Sequence, residues 1–283
     1  MSLPRPDGTA GATPVSVSAG PWDLRVHIEG DGPPIVLLHG LLTDSRAWNE
    51  VTARLRDRHR LIRVDGPGHG GSPARPGPYT LEEEADAVVA TVTELGLTDP
   101  MVWAGHSMGG MKALRVALRH PELVSGLVLV STQPYEEPER TARPYYAMVE
   151  AAHTWGIDAD LADVIGRLNF HPDFLITQDG RSWLEHFTTL RGSDIEQACA
   201  SVFGRGDISG RLAELDVPAL VVHGTADIPI RIGVTRTWAP LLPQARLVEV
   251  PYCGHTPQCE QPALVAELLE TFCRQARRTA SVS

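Results

Sequence analysis

Positive charge is scarce in this sequence, and almost all of it comes from arginine. The 25 lysine and arginine residues are outnumbered by 35 aspartate and glutamate residues, and Lys112 is the only lysine. The net charge of −10, without any run of basic residues, argues against nucleic acid and anionic membrane surfaces as partners. Arginine in place of lysine, together with abundant alanine, glycine and proline, indicates a GC-rich bacterial genome.

Long apolar stretches and a secretion signal are also missing. No run reaches the roughly 20 apolar residues that a membrane-spanning helix needs. Residues 1–20 lack a basic start followed by an apolar segment and are rich in Pro, Gly, Ser and Thr, so we expect a flexible tail there. The chain has four cysteines, Cys199, Cys253, Cys259 and Cys273. They do not require a disulfide framework in a chain of 283 residues, and we expect reduced thiols and a cytoplasmic location.

Strand and helix patterns alternate regularly along most of the chain. The predicted strands, most of them continuous apolar runs, are at 35–38, 61–64, 101–104, 127–130, 219–222 and 246–250. The predicted helices are near 47–55, 80–95, 111–120, 232–242 and 263–272, the second of which opens with a capping box at Thr80 and Glu83. Residues 22–28 alternate as in a half-buried antiparallel strand. The alternation predicts right-handed βαβ units and a mainly parallel sheet.

The alternation stops between residues 134 and 206. This stretch has no strand-like run, but it has helical periodicity and several aromatic residues. We expect a helical cap over the sheet at 134–206, a core formed by 21–133 and 207–275, and a second flexible tail at 276–283.

The most specific motif is G-H-S-M-G at residues 105–109, the only G-x-S-x-G in the chain. Its glycines allow a sharp strand-to-helix turn that lifts the serine hydroxyl above the sheet. A strand pattern precedes the motif and a helical pattern follows it, which is the context that the motif requires. Ser107 is therefore predicted to be a nucleophile.

A serine nucleophile needs a base that takes its proton and a third group that orients the base. Asp227 follows one predicted strand and His255 follows the next, and open α/β sheets bind their ligands at these strand ends. We predict that His255 is the general base and that Asp227 orients it. The alternatives are a helix N-cap for Asp227 and a purely structural histidine for His255.

Two backbone N–H groups are predicted to hold the oxyanion of a tetrahedral intermediate. One belongs to Met108, directly after the nucleophile, and the other to Leu41 in the H-G-L-L segment at 39–42. The side chain of Leu41 would then be available to line an acyl pocket.

Together these motifs resemble those of the α/β-hydrolase superfamily, in its cap-bearing branch of esterases, lactonases and C–C hydrolases. The resemblance extends from Trp22 to Phe272 and includes H-G-T-A-D at 223–227, C-G-H at 253–255 and D-G-P-G-H-G-G-S at 65–72. It implies the α/β-hydrolase fold, with a mainly parallel sheet of the eight-stranded type, helices on both faces and a helical cap insertion. Epoxide hydrolases and haloalkane dehalogenases carry aspartate where this chain has Ser107, which argues against those activities.

The resemblance also suggests where a substrate would bind. We expect contacts from Leu42 and His106 beside the oxyanion and nucleophile motifs, and from the cap aromatics Trp155 and Phe170. For any single aromatic residue of the cap, however, a place in the hydrophobic core is the more common role. No cofactor is required by this chemistry.

Two further patterns are rejected as ligand sites. Gly66, Gly68 and Gly71 match a dinucleotide fingerprint, but the proline-rich segment at 72–78 cannot be the helix that binds the phosphates. Cys253, His255 and Cys259 match no standard zinc spacing, so we expect no metal.

The predicted reaction is hydrolysis of a small or medium apolar carboxylic ester or lactone through an acyl-enzyme. The alternatives are hydrolysis of a C–C bond in a β-diketone-like compound by the same triad, a cofactor-free cyclase or lyase, and a ligand-sensing protein on this fold. An intact triad with both oxyanion positions favours an enzyme with a small-molecule substrate. The sequence does not indicate an oligomeric state.

Overall fold

The core of the protein is one sheet of eight strands, in a computed structural model that describes residues 13–280. The strands are β1 (Thr13–Ala19), β2 (Trp22–Glu29), β3 (Pro34–Leu38), β4 (Arg60–Val64), β5 (Met101–His106), β6 (Val124–Val130), β7 (Ala219–Gly224) and β8 (Ala245–Val250). They lie in the order β1-β2-β4-β3-β5-β6-β7-β8. The β1–β2 and β2–β4 pairs are antiparallel and the other pairs are parallel. This confirms the predicted fold class.

Helices cover both faces of the sheet, and their apolar sides form two separate cores. The core helices are α1 (Asn49–Leu55), α2 (Leu81–Glu94), α3 (Met108–Arg119), α9 (Ile232–Trp238), α10 (Pro257–Glu260) and α11 (Pro262–Ala280). In β3, Val36 and Leu38 belong to the core on the α2–α3 side, whereas Ile35 and Leu37 belong to the core on the α1–α11 side. Successive residues of a strand point to opposite faces, which explains why the predicted strands are continuous apolar runs.

Five α-helices lie between β6 and β7, within the stretch where the alternation stops. They are α4 (Glu139–Trp155), α5 (Ala159–Asn169), α6 (Pro172–Leu175), α7 (Gln178–Thr189) and α8 (Gly192–Phe203), and we refer to them together as the cap. The cap has an apolar core of its own, with Phe170 and Phe187 at its centre. Leu41 and Leu42, on the loop after β3, pack against this cap core.

Both predicted flexible tails extend too far into the chain, because regular secondary structure begins or ends inside them. Within the expected tail at 1–20, Thr13–Ala19 form β1, because the backbone pairs with β2 and Val17 enters the core on the α2–α3 side. Within the expected tail at 276–283, helix α11 continues to Ala280, because no proline or glycine interrupts it. Residues 1–12 and 281–283 lie outside the described residues.

Within the described residues, no helix is both long and apolar enough to cross a bilayer.

Candidate active site

Ser107 lies on a strained turn between β5 and α3. Its φ of 50° and ψ of −115° are unfavourable for a residue with a side chain. The turn needs both flanking glycines, because a Cβ on Gly105 would lie 2.2 Å from the carbonyl oxygen of Gly109, and one on Gly109 would lie 2.3 Å from that of Leu38. The turn is fixed by hydrogen bonds from the Ser107 N–H to Val130 and from Thr132 Oγ1 to the Ser107 carbonyl oxygen. This is the geometry of a nucleophile elbow.

Asp227 and His255 form a buried hydrogen-bonded pair at the same edge of the sheet. His255 Nδ1 lies 2.7 Å from Asp227 Oδ2, and only 4% of Asp227 and 5% of His255 are exposed. Burial raises the pKa of Asp227, but the charge and hydrogen bonds of His255 and His223 outweigh it and hold the pKa well below its usual range. A carboxylate that accepts at Nδ1 fixes the imidazole with Nε2 free to take a proton.

His223, on β7, is a third member of this group that the sequence did not indicate. Its Nε2 lies 2.6 Å from the carbonyl oxygen of Ile230 and 3.2 Å from Asp227 Oδ2, and its Nδ1 lies 2.9 Å from Thr235 Oγ1. Because a carbonyl oxygen can only accept, the Nε2 of His223 carries the proton and faces the carboxylate. The Ile230 N–H donates to the other carboxylate oxygen, Asp227 Oδ1, at 2.9 Å. The position of His223 just before the H-G-T-A-D glycine was the only signal for this role.

The two predicted oxyanion donors are available for a ligand. Neither the Leu41 N–H nor the Met108 N–H has a hydrogen-bond acceptor among residues 13–280. Met108 is the first residue of α3, where a helix leaves its N–H groups unpaired and carries a partial positive charge. The neighbouring Leu42 has a φ of 64°, and its N–H donates to His69 Nε2 at 3.1 Å. This bond anchors the loop that carries Leu41.

Two neutral histidines brace that loop. Nδ1 of His39 lies 2.7 Å from the Gly40 carbonyl oxygen, and Nδ1 of His69 lies 2.9 Å from that of Pro67, while both Nε2 atoms accept backbone N–H groups. Each ring must therefore carry its proton on Nδ1 alone. Burial, together with neighbouring positive charge, lowers the pKa of His39 to about 4 and that of His69 to about 3. Asp65 completes the brace by accepting the backbone N–H groups of Ser45 and Gly71.

The four residues that were expected to contact the substrate lie in different environments. Leu42 is half-buried against the cap core, next to the oxyanion loop. His106 is fully buried, and its Nε2 donates to the His255 carbonyl oxygen at 2.8 Å. It therefore holds the backbone of His255. Phe170 is 2% exposed in the cap core. Trp155 is 84% exposed at the end of α4, so the expectation that it lines a substrate pocket is wrong.

Another set of apolar residues includes both residues that carry the predicted oxyanion donors. The buried members are Leu81, Met108, Met111, Val202 and Ile230, with Leu41, Phe203 and Val234 packed against them, and we call this set the apolar wall. Phe203 comes from the cap, and Tyr145 stacks on it with a centroid distance of 4.9 Å. Phe203 in α8 and Tyr145 in α4 therefore bring two aromatic side chains of the cap to the apolar wall.

Two of the three residues considered as metal ligands, His255 and Cys259, have other contacts. His255 Nδ1 is bonded to Asp227, and Cys259 Sγ donates to the Ala47 carbonyl oxygen at 3.3 Å. Burial raises the pKa of Cys253 and Cys259 well above the usual range, which disfavours the thiolate that a metal binds. In the part of the chain described here, no group of three or more His, Cys, Asp and Glu side chains is arranged to hold a metal ion.

Comparisons with known proteins identify the family of the chain. The model of the alpha/beta hydrolase family matches residues 35–268. A pimeloyl-[acyl-carrier protein] methyl ester esterase from Aromatoleum aromaticum is 33% identical over 253 residues, which cover 86% of this chain and 98% of that protein.

Two solved structures are similar over nearly the whole chain. A thermophilic esterase from Thermogutta terrifontis has a TM-score of 0.86 and 25% identity, with 94% of this chain and 99% of that chain covered. The enol-lactonase from Burkholderia xenovorans LB400 has a TM-score of 0.84 and 25% identity, with 92% and 100% covered. The chain therefore belongs to the alpha/beta hydrolase family.

Proposed function

We propose that this protein is a serine hydrolase that cleaves a carboxylic ester or lactone through an acyl-enzyme. Ser107 Oγ attacks the carbonyl carbon while His255 Nε2 takes its proton. The Leu41 and Met108 N–H groups hold the oxyanion, and His255 then returns the proton to the leaving alcohol. In the second half, His255 activates a water molecule that releases the acid and restores Ser107.

One observation supports this proposal more strongly than any other. The buried Asp227–His255 hydrogen bond of 2.7 Å lies at the edge of the sheet where the strained turn presents Ser107. A structural role alone would explain a buried carboxylate, but not a nucleophile held at positive φ beside two unpaired N–H donors. Strain of this kind persists at functional sites because the surrounding structure maintains it. Here β5, α3 and the two glycines maintain it.

The substrate we propose is a free small molecule in the cytoplasm. It is a small or medium, largely apolar ester or lactone. The apolar wall supports this, because the side chains of Leu41 and Met108 pack there with aliphatic and aromatic side chains. The names of the relatives, a pimeloyl-[acyl-carrier protein] methyl ester esterase and an enol-lactonase, are consistent with an ester or lactone as the bond that is cleaved. No metal or organic cofactor takes part in the proposed reaction.

The experiment is a screen of activated esters, lactones and β-diketones, followed by two matched variants. Ser107→Ala should lower kcat at least ~10³-fold on the best substrate, because it removes the attacking atom. Ser131→Ala is the control, since Ser131 also has a positive φ, at 45°, and follows the neighbouring strand β6. It should stay within threefold of the wild type.

The screen also separates the alternatives. Turnover of β-diketones but not of esters would replace ester hydrolysis by C–C bond hydrolysis with the same residues. A Ser107→Ala variant as active as Ser131→Ala would contradict the serine mechanism itself.

A further inference from the structure

Glu260, at the end of α10, accepts three backbone hydrogen bonds. Its Oε2 lies 2.9 Å from the Gly254 N–H nitrogen and 3.1 Å from that of His171, and its Oε1 lies 3.3 Å from that of Thr256. Burial raises the pKa of Glu260 even though these three hydrogen bonds lower it. Glu260 forms no ion pair with a residue of the described chain. Its carboxylate is therefore positioned by these hydrogen bonds and not by a salt bridge.

Two of the three donors are the residues on either side of His255. Gly254 and Thr256 are bound by opposite oxygens of one carboxylate, so the peptide that carries His255 is held from both ends. The His255 carbonyl oxygen is in turn bound by His106. A rigid group that fixes the backbone of a catalytic residue limits the misplacement that lowers the rate of proton transfer.

The third donor, His171, belongs to the cap. The turn at residues 169–171 joins α5 to α6 and lies directly on the His255 loop. Thr256 Oγ1 donates to the Asn169 carbonyl oxygen at 2.7 Å. A Cβ on Gly254 would lie 2.6 Å from the His171 nitrogen and 2.8 Å from the Phe170 carbonyl carbon, so the two segments touch without room for a side chain.

We propose that Glu260 is a positioning residue that holds His255 and ties its position to the cap turn at 169–171. It acts through the backbone of Gly254 and Thr256 and touches neither the substrate nor the reacting atoms. The cap would then affect catalysis even for a substrate too small to touch it. The catalytic consequence rests on the proposed function, whereas the effect on the His255 ring does not.

The structure offers a substitution that replaces the N–H donated by the cap with a ring carbon, which cannot donate to Glu260. His171 has a φ of −63°, which proline adopts, and Phe170 before it is extended, as the residue before a proline must be. His171→Pro therefore removes the N–H that Glu260 accepts. His171→Ala removes the same side chain but keeps that N–H, so it is the matched control.

We expect His171→Pro to lower kcat for a small acetate ester at least tenfold with KM within threefold, while His171→Ala stays within twofold in kcat. Glu260→Gln should lower kcat similarly, because its amide N–H₂ cannot accept a backbone N–H. Glu270→Gln is its control: that carboxylate lies on α11 and binds His59, away from the site. Folding of each variant is checked by circular dichroism and thermal unfolding.

A readout independent of turnover is the NMR resonance of the His255 Nδ1 proton. It should shift or broaden in His171→Pro and Glu260→Gln and remain unchanged in both controls. Equal kcat in the Ala and Pro variants, with an unchanged His255 resonance, would overturn the proposal. A resonance that shifts as expected in a protein that hydrolyses no ester would support the positioning role and contradict the proposed function instead.

Discussion

At the scale of single residues, the site depends on how hydrogen-bond partners fix the protonation of its histidines and carboxylates. Asp227 is surrounded by donors from His255, His223 and the Ile230 backbone, so its oxygens have no role except as acceptors. Sequence order was sufficient to propose Asp227 and His255 as partners, and the structure places their side chains in hydrogen-bond contact. It was not sufficient for His223 or Glu260, because their roles depend on contacts between loops that are distant along the chain.

The first residue-scale prediction concerns the acid. Asp227→Asn should lower kcat at least ~10²-fold, because an amide N–H₂ facing His255 Nδ1 favours the wrong tautomer. Asp216→Asn is the control, since Asp216 is an exposed partner of Gln244. Steady-state kinetics on an activated ester provide the measurement. An Asp227→Asn variant within threefold of the wild type would mean that another carboxylate orients His255.

At the scale of elements, most strands and helices were predictable because each has a clear apolar period. The capping box of α2 forms both of its reciprocal hydrogen bonds, as Thr80 and Glu83 predicted. β1 was missed although Val15 and Val17 alternate with serines, because the Ser, Thr, Pro and Gly composition of the first twenty residues indicated a tail. Pairing with β2, rather than local preference, makes this segment a strand.

The cap shows where periodicity is insufficient. Trp155 is the last residue of α4 and projects into solvent before Gly156, whereas Phe203 is the last residue of α8 and reaches the apolar wall. Both are aromatic residues at a helix end. Only the packing of α4 on α8 and of Phe203 on the apolar wall distinguishes them, and no sequence pattern encodes that packing.

This difference gives the element-scale prediction. Phe203→Ala should lower kcat/KM for a bulky ester by about 10- to 200-fold, the range expected for lost apolar contacts, and leave a small acetate ester within threefold. Trp155→Ala should leave both substrates unchanged, because its side chain is solvent-exposed. Equal losses on large and small esters in a folded Phe203→Ala variant would show that Phe203 supports the triad rather than the substrate.

At the scale of the whole molecule, the protein maintains several histidines in a neutral, buried state. Burial, with neighbouring positive charge, lowers the pKa of His39 to about 4, of His69 to about 3, and of His106 well below its usual range. The unfolded chain takes up protons on these rings near pH 6.5, but the folded protein does not. Their contribution to stability is therefore present at pH 7 and is lost as the pH falls toward 4.

We therefore expect the free energy of unfolding to decrease between about pH 7 and pH 5, by on the order of 1 kcal/mol per histidine per pH unit below 6.5. Glu260, whose pKa is raised, contributes in the opposite direction, but it is one group against four histidines, because burial also lowers the pKa of His186. The carboxylates with lowered pKa values lose their contribution only below about pH 4. Urea unfolding at the two pH values measures the difference, and equal free energies would contradict the neutral buried state.

The central claim is that Ser107 is an activated nucleophile, and covalent labelling tests it most directly. The wild-type protein should react once with a fluorophosphonate probe, seen as a single mass increase and mapped to the peptide that contains Ser107. Ser107→Ala should remain unlabelled, and Ser131→Ala should react like the wild type. An adduct on the folded Ser107→Ala protein, or none on the wild type, would contradict the account.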